Sequence, residues 1–177
     1  MLDKNKITKI HVFDFDNTLL ETPLKPEKWT KGWYGKSLSL LPPYMPSIDK
    51  IPTEGMHLLN NKVYNEYINS IKSGDTFVVF MTGRHMGLRS LVLKILKAYG
   101  INPEEKDNQR AIFVSGAKTL PFKLSSIKNM VIEFPNVTNV EIWDDRLEHI
   151  EEFRKYEKDL KEIRNTINVI VFEPPNW

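Results

Sequence analysis

Asp14 and Asp16 stand one residue apart at the end of an apolar run, Val12-Phe13-Asp14-Phe15-Asp16-Asn17-Thr18. Along a strand, alternate residues share a side, so both acids would face away from Phe13 and Phe15. Two carboxylates this close repel each other and are relieved by a cation. Oxygen ligands suit magnesium. Ile142-Trp143-Asp144-Asp145-Arg146 repeats the theme, an apolar run ending in adjacent acids that again suit a hard cation. Phe80-Met81-Thr82-Gly83-Arg84 ends differently. Its hydroxyl can donate to a phosphate oxygen, its glycine admits close backbone approach, and its guanidinium forks onto phosphate. Finally, Thr119-Leu120-Pro121-Phe122-Lys123 puts a lysine near a helix start, where the dipole does not favour a cation and a nearby anion is implied. Lys118 competes for that role.

Each fragment also has a plainer reading. Asp14 to Thr18 can be a polar loop after a strand, Thr82 a helix cap and Lys123 a solvated side chain. Asp144 and Asp145 can be an N-cap with favourable charge in the first turn. The combination argues for one site, because ligands of open parallel sheets bind at the carboxyl ends of the strands.

The elements that must position these groups alternate strand and helix, the pattern of a parallel sheet wrapped by helices. Strands are expected at Ile7 to Asp14, Phe77 to Met81, Ala111 to Ser115, Val140 to Trp143 and Val169 to Phe172. Phe77 to Met81 is continuously apolar, as a strand buried on both faces should be. Leu59, Val63, Tyr67 and Ile71 give one helical stripe, stopped by Gly74. Leu88, Leu91, Val92, Ile95 and Leu96 give the next. Pro121 opens a third helix running to about Val131, and Arg146 to about Ile163 forms a charge-rich fourth, with Ile150, Phe153 and Leu160 facing the sheet. The expected fold is α/β: a doubly wound, mostly parallel five-stranded sheet. Residues 1–177 form one domain, in which 21–75 are a small lid insertion and no large cap domain is present. Glu21 to Pro52 is too proline-rich for a central strand and too aromatic for a disordered linker. It reads as an ordered excursion over the end of the first strand.

Bulk composition narrows the function. The chain has 177 residues, 41% hydrophobic and 27% charged, ordinary for a globular domain. A formal charge of +2 does not suggest a protein that coats nucleic acid, though a local basic groove is compatible with it. With no cysteine, disulfides, thiolate metal sites and cysteine nucleophiles are excluded. No apolar run is long enough to span a bilayer, and Met1 to Lys9 lack the apolar stretch of a signal peptide. The expectation is an intracellular protein, cytoplasmic or nuclear, with no membrane partner.

Taken in order, these residues resemble the haloacid dehalogenase-like (HAD) phosphohydrolase superfamily. Asp14 to Thr18 match its Asp-x-Asp-x-Thr motif, Thr82 its second motif, Lys123 its lysine, and Asp144 with Asp145 its acidic pair. The resemblance implies a Rossmann-like HAD fold and a phosphatase. Asp14 would be the nucleophile, forming an aspartyl-phosphate, and Asp16 the general acid and base. Thr82 and Lys123 would hold phosphoryl oxygens. Mg2+ would be held by Asp14, the Asp16 backbone carbonyl and Asp144, with Asp145 beside them. Thr82-Gly83-Arg84 and Asp144-Asp145-Arg146 look like the phosphatase half of polynucleotide kinase/phosphatase enzymes. Trp33-Tyr34 to Leu41, Phe122-Lys123 and Trp143 to His149 are similar to the Swiss Army Knife RNA-repair-like branch. No kinase P-loop is present. The implied substrate is a phosphorylated polynucleotide end, with Thr18, Gly83, Arg84, Arg146 and Trp33 as candidate substrate-binding residues. Trp33 could stack on a base or pin the lid to the sheet. A small-metabolite phosphatase and an end-binding module without catalysis are the alternatives. His11, His57, His85 and His149 are assigned to no metal.

Overall fold

The computed structural model describes residues 2–23, 25–28, 31–41, 59–115 and 118–177. Trp29 and the end of the expected excursion, residues 42–52, lie outside them, as do residues 53–58 of the expected insertion. Five strands, β1 (Lys9–Phe13), β2 (Thr76–His85), β3 (Gln109–Val114), β4 (Asn139–Trp143) and β5 (Asn168–Phe172), form one sheet. Their order is β3-β2-β1-β4-β5 and every pair is parallel. Helices α1 (Trp33–Leu38), α2 (Asn61–Lys72), α3 (Arg89–Ala98), α4 (Thr119–Glu133) and α5 (Leu147–Ile163) fill the connections, with short 3-10 turns at Lys4–Lys6 and Met86–Leu88. The fold is thus the doubly wound, Rossmann-like α/β sheet that the strand-helix alternation predicts. Among the described residues, no helix is long and apolar enough to cross a membrane.

The two-residue period of the strands divides the core in two. Ile10, Val12, Phe77, Val79, Met81, Val140 and Ile142 face one side and pack with Ile127, Met130 and Val131 of α4 and Phe153 and Leu160 of α5. Phe13, Val78, Phe80, Phe113 and Trp143 face the other, against Val63 and Tyr67 of α2 and Val92, Ile95 and Leu96 of α3. Each such side chain contributes about 1.5–3 kcal/mol by leaving water. Trp143 stacks between Phe13 and Phe172, with ring centroids 4.4 Å and 4.6 Å away. These stacked rings clamp the carboxyl ends of β1, β4 and β5 together, and the acids follow immediately.

Most expected strand ends shift by one or two residues. The substantive correction concerns β2, which runs on through Thr82, Gly83 and Arg84 to His85. Its register with β3 breaks between Thr82 and His85. A bulge of this kind re-aims side chains without ending the strand. Thr82 is therefore a strand residue and not a helix cap. Helix α4 starts at Thr119, before Pro121, which sits in the first turn where no backbone donor is required.

Candidate active site

Strand register brings the first two acidic groups together. Phe13 pairs with Trp143, and the next residue's amide, Asp14 N–H, donates to Trp143 O at 3.0 Å. Asp14 and Asp144 continue the parity of Val12 and Ile142, so both side chains emerge on the sheet face covered by α4. There Lys123, the fifth residue of that helix, reaches between them. Its Nζ donates to Asp14 Oδ1 at 2.9 Å and to Asp144 Oδ2 at 2.7 Å. All three side chains are buried, Lys123 at 2% exposure. Lys118 is instead the exposed N-cap residue of α4.

Asp145 completes the cluster. Carboxylate oxygens of Asp14, Asp144 and Asp145 lie within 4.8 Å of one another. Thr18, fully buried, donates its hydroxyl to Asp145 Oδ1 at 3.5 Å, and the Arg146 amide donates to Asp144 Oδ1 at 3.0 Å.

The charges do not balance within this group. Burial pushes Asp14 up to about 7, and Asp144 and Asp16 push the same way against the pull of Lys123. For Asp144, burial opposes ionisation, but Lys123, the approach of His149 and the Arg146 amide together hold it down at about 2. Burial also works against the Lys123 ammonium, and the two carboxylates outweigh it and raise its pKa. Burial, then Asp144, raises Asp145. Three carboxylates facing one ammonium leave two negative charges, the charge that one divalent cation cancels. An all-oxygen set of this kind fits Mg2+.

Asp16 lies just outside the cluster. The chain turns at Asn17, whose φ of 54° is a left-handed conformation that asparagine tolerates. Asn17 N–H donates to Leu20 O at 2.7 Å, and its Oδ1 accepts from the Thr22 amide at 3.2 Å. Buried Leu19 and Leu20 anchor this turn. The Asp16 carboxylate is gripped by Arg84, with Nη2 to Oδ1 at 2.5 Å and Nε to Oδ2 at 3.1 Å. The same guanidinium donates through Nη1 to Ser37 Oγ of α1 at 3.2 Å. Arg84, expected from the sequence to meet phosphate, is thus bound to the second acid of the motif. Its backbone N–H donates to Thr82 Oγ1 at 3.1 Å, in a buried environment. The glycine between them is required by packing, since a Cβ on Gly83 would lie 2.9 Å from Thr119 Cγ2.

A crevice of about 170 Å3 opens over these groups, lined in part by Asp16, Lys25, Trp33, Ser37, Gly83, Arg84 and Arg146. Half-buried Trp33 donates its Nε1–H to Pro23 O at 3.1 Å, which pins the ring to the crevice wall. The structure therefore gathers Asp14, Asp144, Lys123 and Thr18 in the interior beside half-buried Asp145, and Asp16, Gly83, Arg84, Arg146 and Trp33 around the crevice, with Thr82 buried beneath.

Two contributors were given no role at the site from the sequence. His149, buried in the first turn of α5, brings Nδ1 to 3.5 Å from Asp144 Oδ2 without a well-formed hydrogen bond. Its signal was a histidine on the inward side of a charge-rich helix, just after a vicinal acid pair. Ser37 carried no such signal, because a six-residue helix is too short for periodicity to reveal its inward face.

A family model described as HAD domain family 1 in Swiss Army Knife RNA repair proteins matches residues 15–176. The match begins immediately after Asp14 and takes in every other residue of the site.

Proposed function

The chain belongs to this family of HAD domains, which places it with the phosphatase-type hydrolases, and on that premise we propose that it is a magnesium-dependent phosphomonoesterase acting on the terminal phosphate of a nucleic acid. The observation that carries the reading is Lys123 Nζ between Asp14 and Asp144, at the ends of two adjoining parallel strands.

In the proposed reaction a carboxylate oxygen of Asp14 attacks phosphorus while the bond from phosphorus to the ester oxygen breaks. Asp16 gives its proton to the departing alcohol oxygen. Asp16 then takes a proton from water, whose oxygen attacks the aspartyl-phosphate, so that inorganic phosphate leaves and Asp14 is restored as a carboxylate. Arg84 orients Asp16 for both transfers. Lys123 and Thr82 neutralise and position phosphoryl oxygens. Asp14, the Asp16 backbone carbonyl and Asp144, with Asp145 beside them, would hold the Mg2+, which supplies further neutralisation of phosphoryl charge.

Support for a nucleic-acid end comes from Lys25, Arg146 and Trp33 around the crevice and from the RNA repair proteins after which the family is described. The modest crevice volume favours a second reading, a phosphatase of small metabolites, since ligand pockets usually hold about 300–1,000 Å3. Rates on a 3′-phosphorylated oligonucleotide, compared with sugar phosphates and nucleotides in the presence of Mg2+, separate the two. Equal or faster turnover of sugar phosphates rejects the nucleic-acid reading. Asp14→Asn should abolish turnover of every phosphomonoester, and wild-type turnover in that variant would remove Asp14 as nucleophile. Oligonucleotide binding by a wild-type chain that turns over no phosphomonoester would identify an end-binding module instead.

A further inference from the structure

A second cavity adjoins the crevice and is the larger of the two, about 320 Å3 against about 170 Å3. The two share Gly83, Arg84 and Arg146. Among the described residues, the remaining lining of the second cavity is His85, Leu88, Val114 and Thr119. The crevice offers the Asp16 carboxylate, a lysine and hydroxyls, as suits a phosphate and its chemistry. The second cavity offers two aliphatic side chains, an imidazole and a hydroxyl, with guanidinium groups where the cavities meet. That combination suits a flat ring with apolar faces and polar edges.

The walls are held in place. His85 Nδ1 accepts the Gly87 amide at 3.1 Å, which in the neutral ring leaves the proton on Nε2 as a donor. Leu88 Cδ2 lies 3.9 Å from the Cβ position of Gly35 in α1, the helix that carries Trp33 and Ser37 to the neighbouring crevice. Of the exposed large apolar residues among those described, Met86, Ile132, Leu147 and Ile170, two directly follow residues of this cavity: Met86 after His85 and Leu147 after Arg146.

We propose that this second cavity seats the nucleobase of the nucleotide that carries the scissile phosphate. The base lies against Leu88 and Val114, its edge meets His85 Nε2–H and the Thr119 hydroxyl, and Arg146 stacks or pairs at the seam. The inference rests on the phosphatase reading and narrows its substrate class. Sugar phosphates gain nothing from the aliphatic wall, whereas a nucleoside presents a ring to it.

The test compares two 3′-phosphorylated oligonucleotides that differ only in whether the terminal sugar carries its base or is abasic. Burial of the base against Leu88 and Val114 implies that the wild-type protein with Mg2+ favours the base-bearing substrate in kcat/KM by about five- to fiftyfold. His85→Ala and Leu88→Ala should each reduce that ratio, mainly through KM. A wild-type ratio near one, or a ratio that neither variant changes, overturns the proposal. Calorimetric binding of the same pair to Asp14→Asn protein judges the cavity without turnover. There, a preference for the base that His85→Ala removes supports the cavity, and equal affinities reject it. Absence of turnover together with a preserved binding preference would reject the catalytic reading and leave the cavity standing.

Discussion

Replacing Lys123 by Met keeps most of the side-chain length and removes the ammonium that, among the described residues, contacts Asp14 and Asp144. Those carboxylates are 4% and 1% exposed, so water cannot take over the solvation that the lysine provided. Removing one partner of a buried ion pair typically costs about 3–5 kcal/mol. At about 2–4 °C per kcal/mol for a chain of this size, Lys123→Met should melt roughly 6–20 °C below wild type in chelator. The deficit should depend on pH in a defined direction. Asp14 is raised to about 7, so the native state keeps its proton over a range where the unfolded chain has lost it. The stability this proton provides is complete below about pH 4 and fades as pH rises through about 7. Without the lysine, which pulls Asp14 down, the carboxylates oppose ionisation more strongly still. The gap between variant and wild type should therefore widen from pH 5 to pH 8. Mg2+ should narrow it at pH 8, because a divalent cation answers the same excess of negative charge. Thermal and urea denaturation of both proteins, with chelator and with Mg2+ at the two pH values, provide the measurement. A variant as stable as wild type at pH 8 in chelator would show that the acids are not cramped and that Lys123 does not hold them.

Much of this arrangement was legible in the sequence for a physical reason. A strand buried on both faces has no room for polar residues, so β2 appears as an apolar run, whereas β1 and β4 alternate, with half-buried Lys9, His11, Asn139 and Glu141 between their buried residues, and the first acid after β1 and β4 lies at the carboxyl end of the sheet. Parallel pairing of Phe13 with Trp143 then makes Asp14 and Asp144 neighbours. What was hidden depended on geometry that local pattern does not encode. Thr82-Gly83-Arg84 has the composition of a turn, and only its pairing beside β3 shows that the strand continues. Lys118 and Lys123 differ by little more than one helical turn, and α4 had to start at Thr119 for the second to point inward. Arg84 has the right chemistry for phosphate, yet the turn at Asn17 delivers Asp16 to it from a distant stretch of chain. The second cavity could not be foreseen either, since His85, Val114 and Thr119 come from separate segments and form no motif.

Two further predictions follow from the bulged end of β2. Arg84→Gln removes the paired donors that fix the Asp16 carboxylate, and should lower kcat about a hundredfold with a smaller change in KM, measured on any phosphomonoester the wild type hydrolyses. An unchanged kcat would mean that Asp16 needs no such orientation. Gly83→Ala tests the packing beneath the crevice. Its Cβ would meet Thr119 Cγ2 at 2.9 Å, closer than real contacts allow, so strand and helix must separate at a cost of about 1–3 kcal/mol in urea denaturation. The clash is with a single methyl group. Thr119→Ser deletes that methyl and retains the hydroxyl, so Gly83→Ala/Thr119→Ser should recover most of the loss. The two substitutions would then be coupled, as expected for residues in contact. If their effects simply add, the glycine is not there to admit Thr119, and the close approach of α4 to β2 that delivers Lys123 to the acids must be held by other contacts.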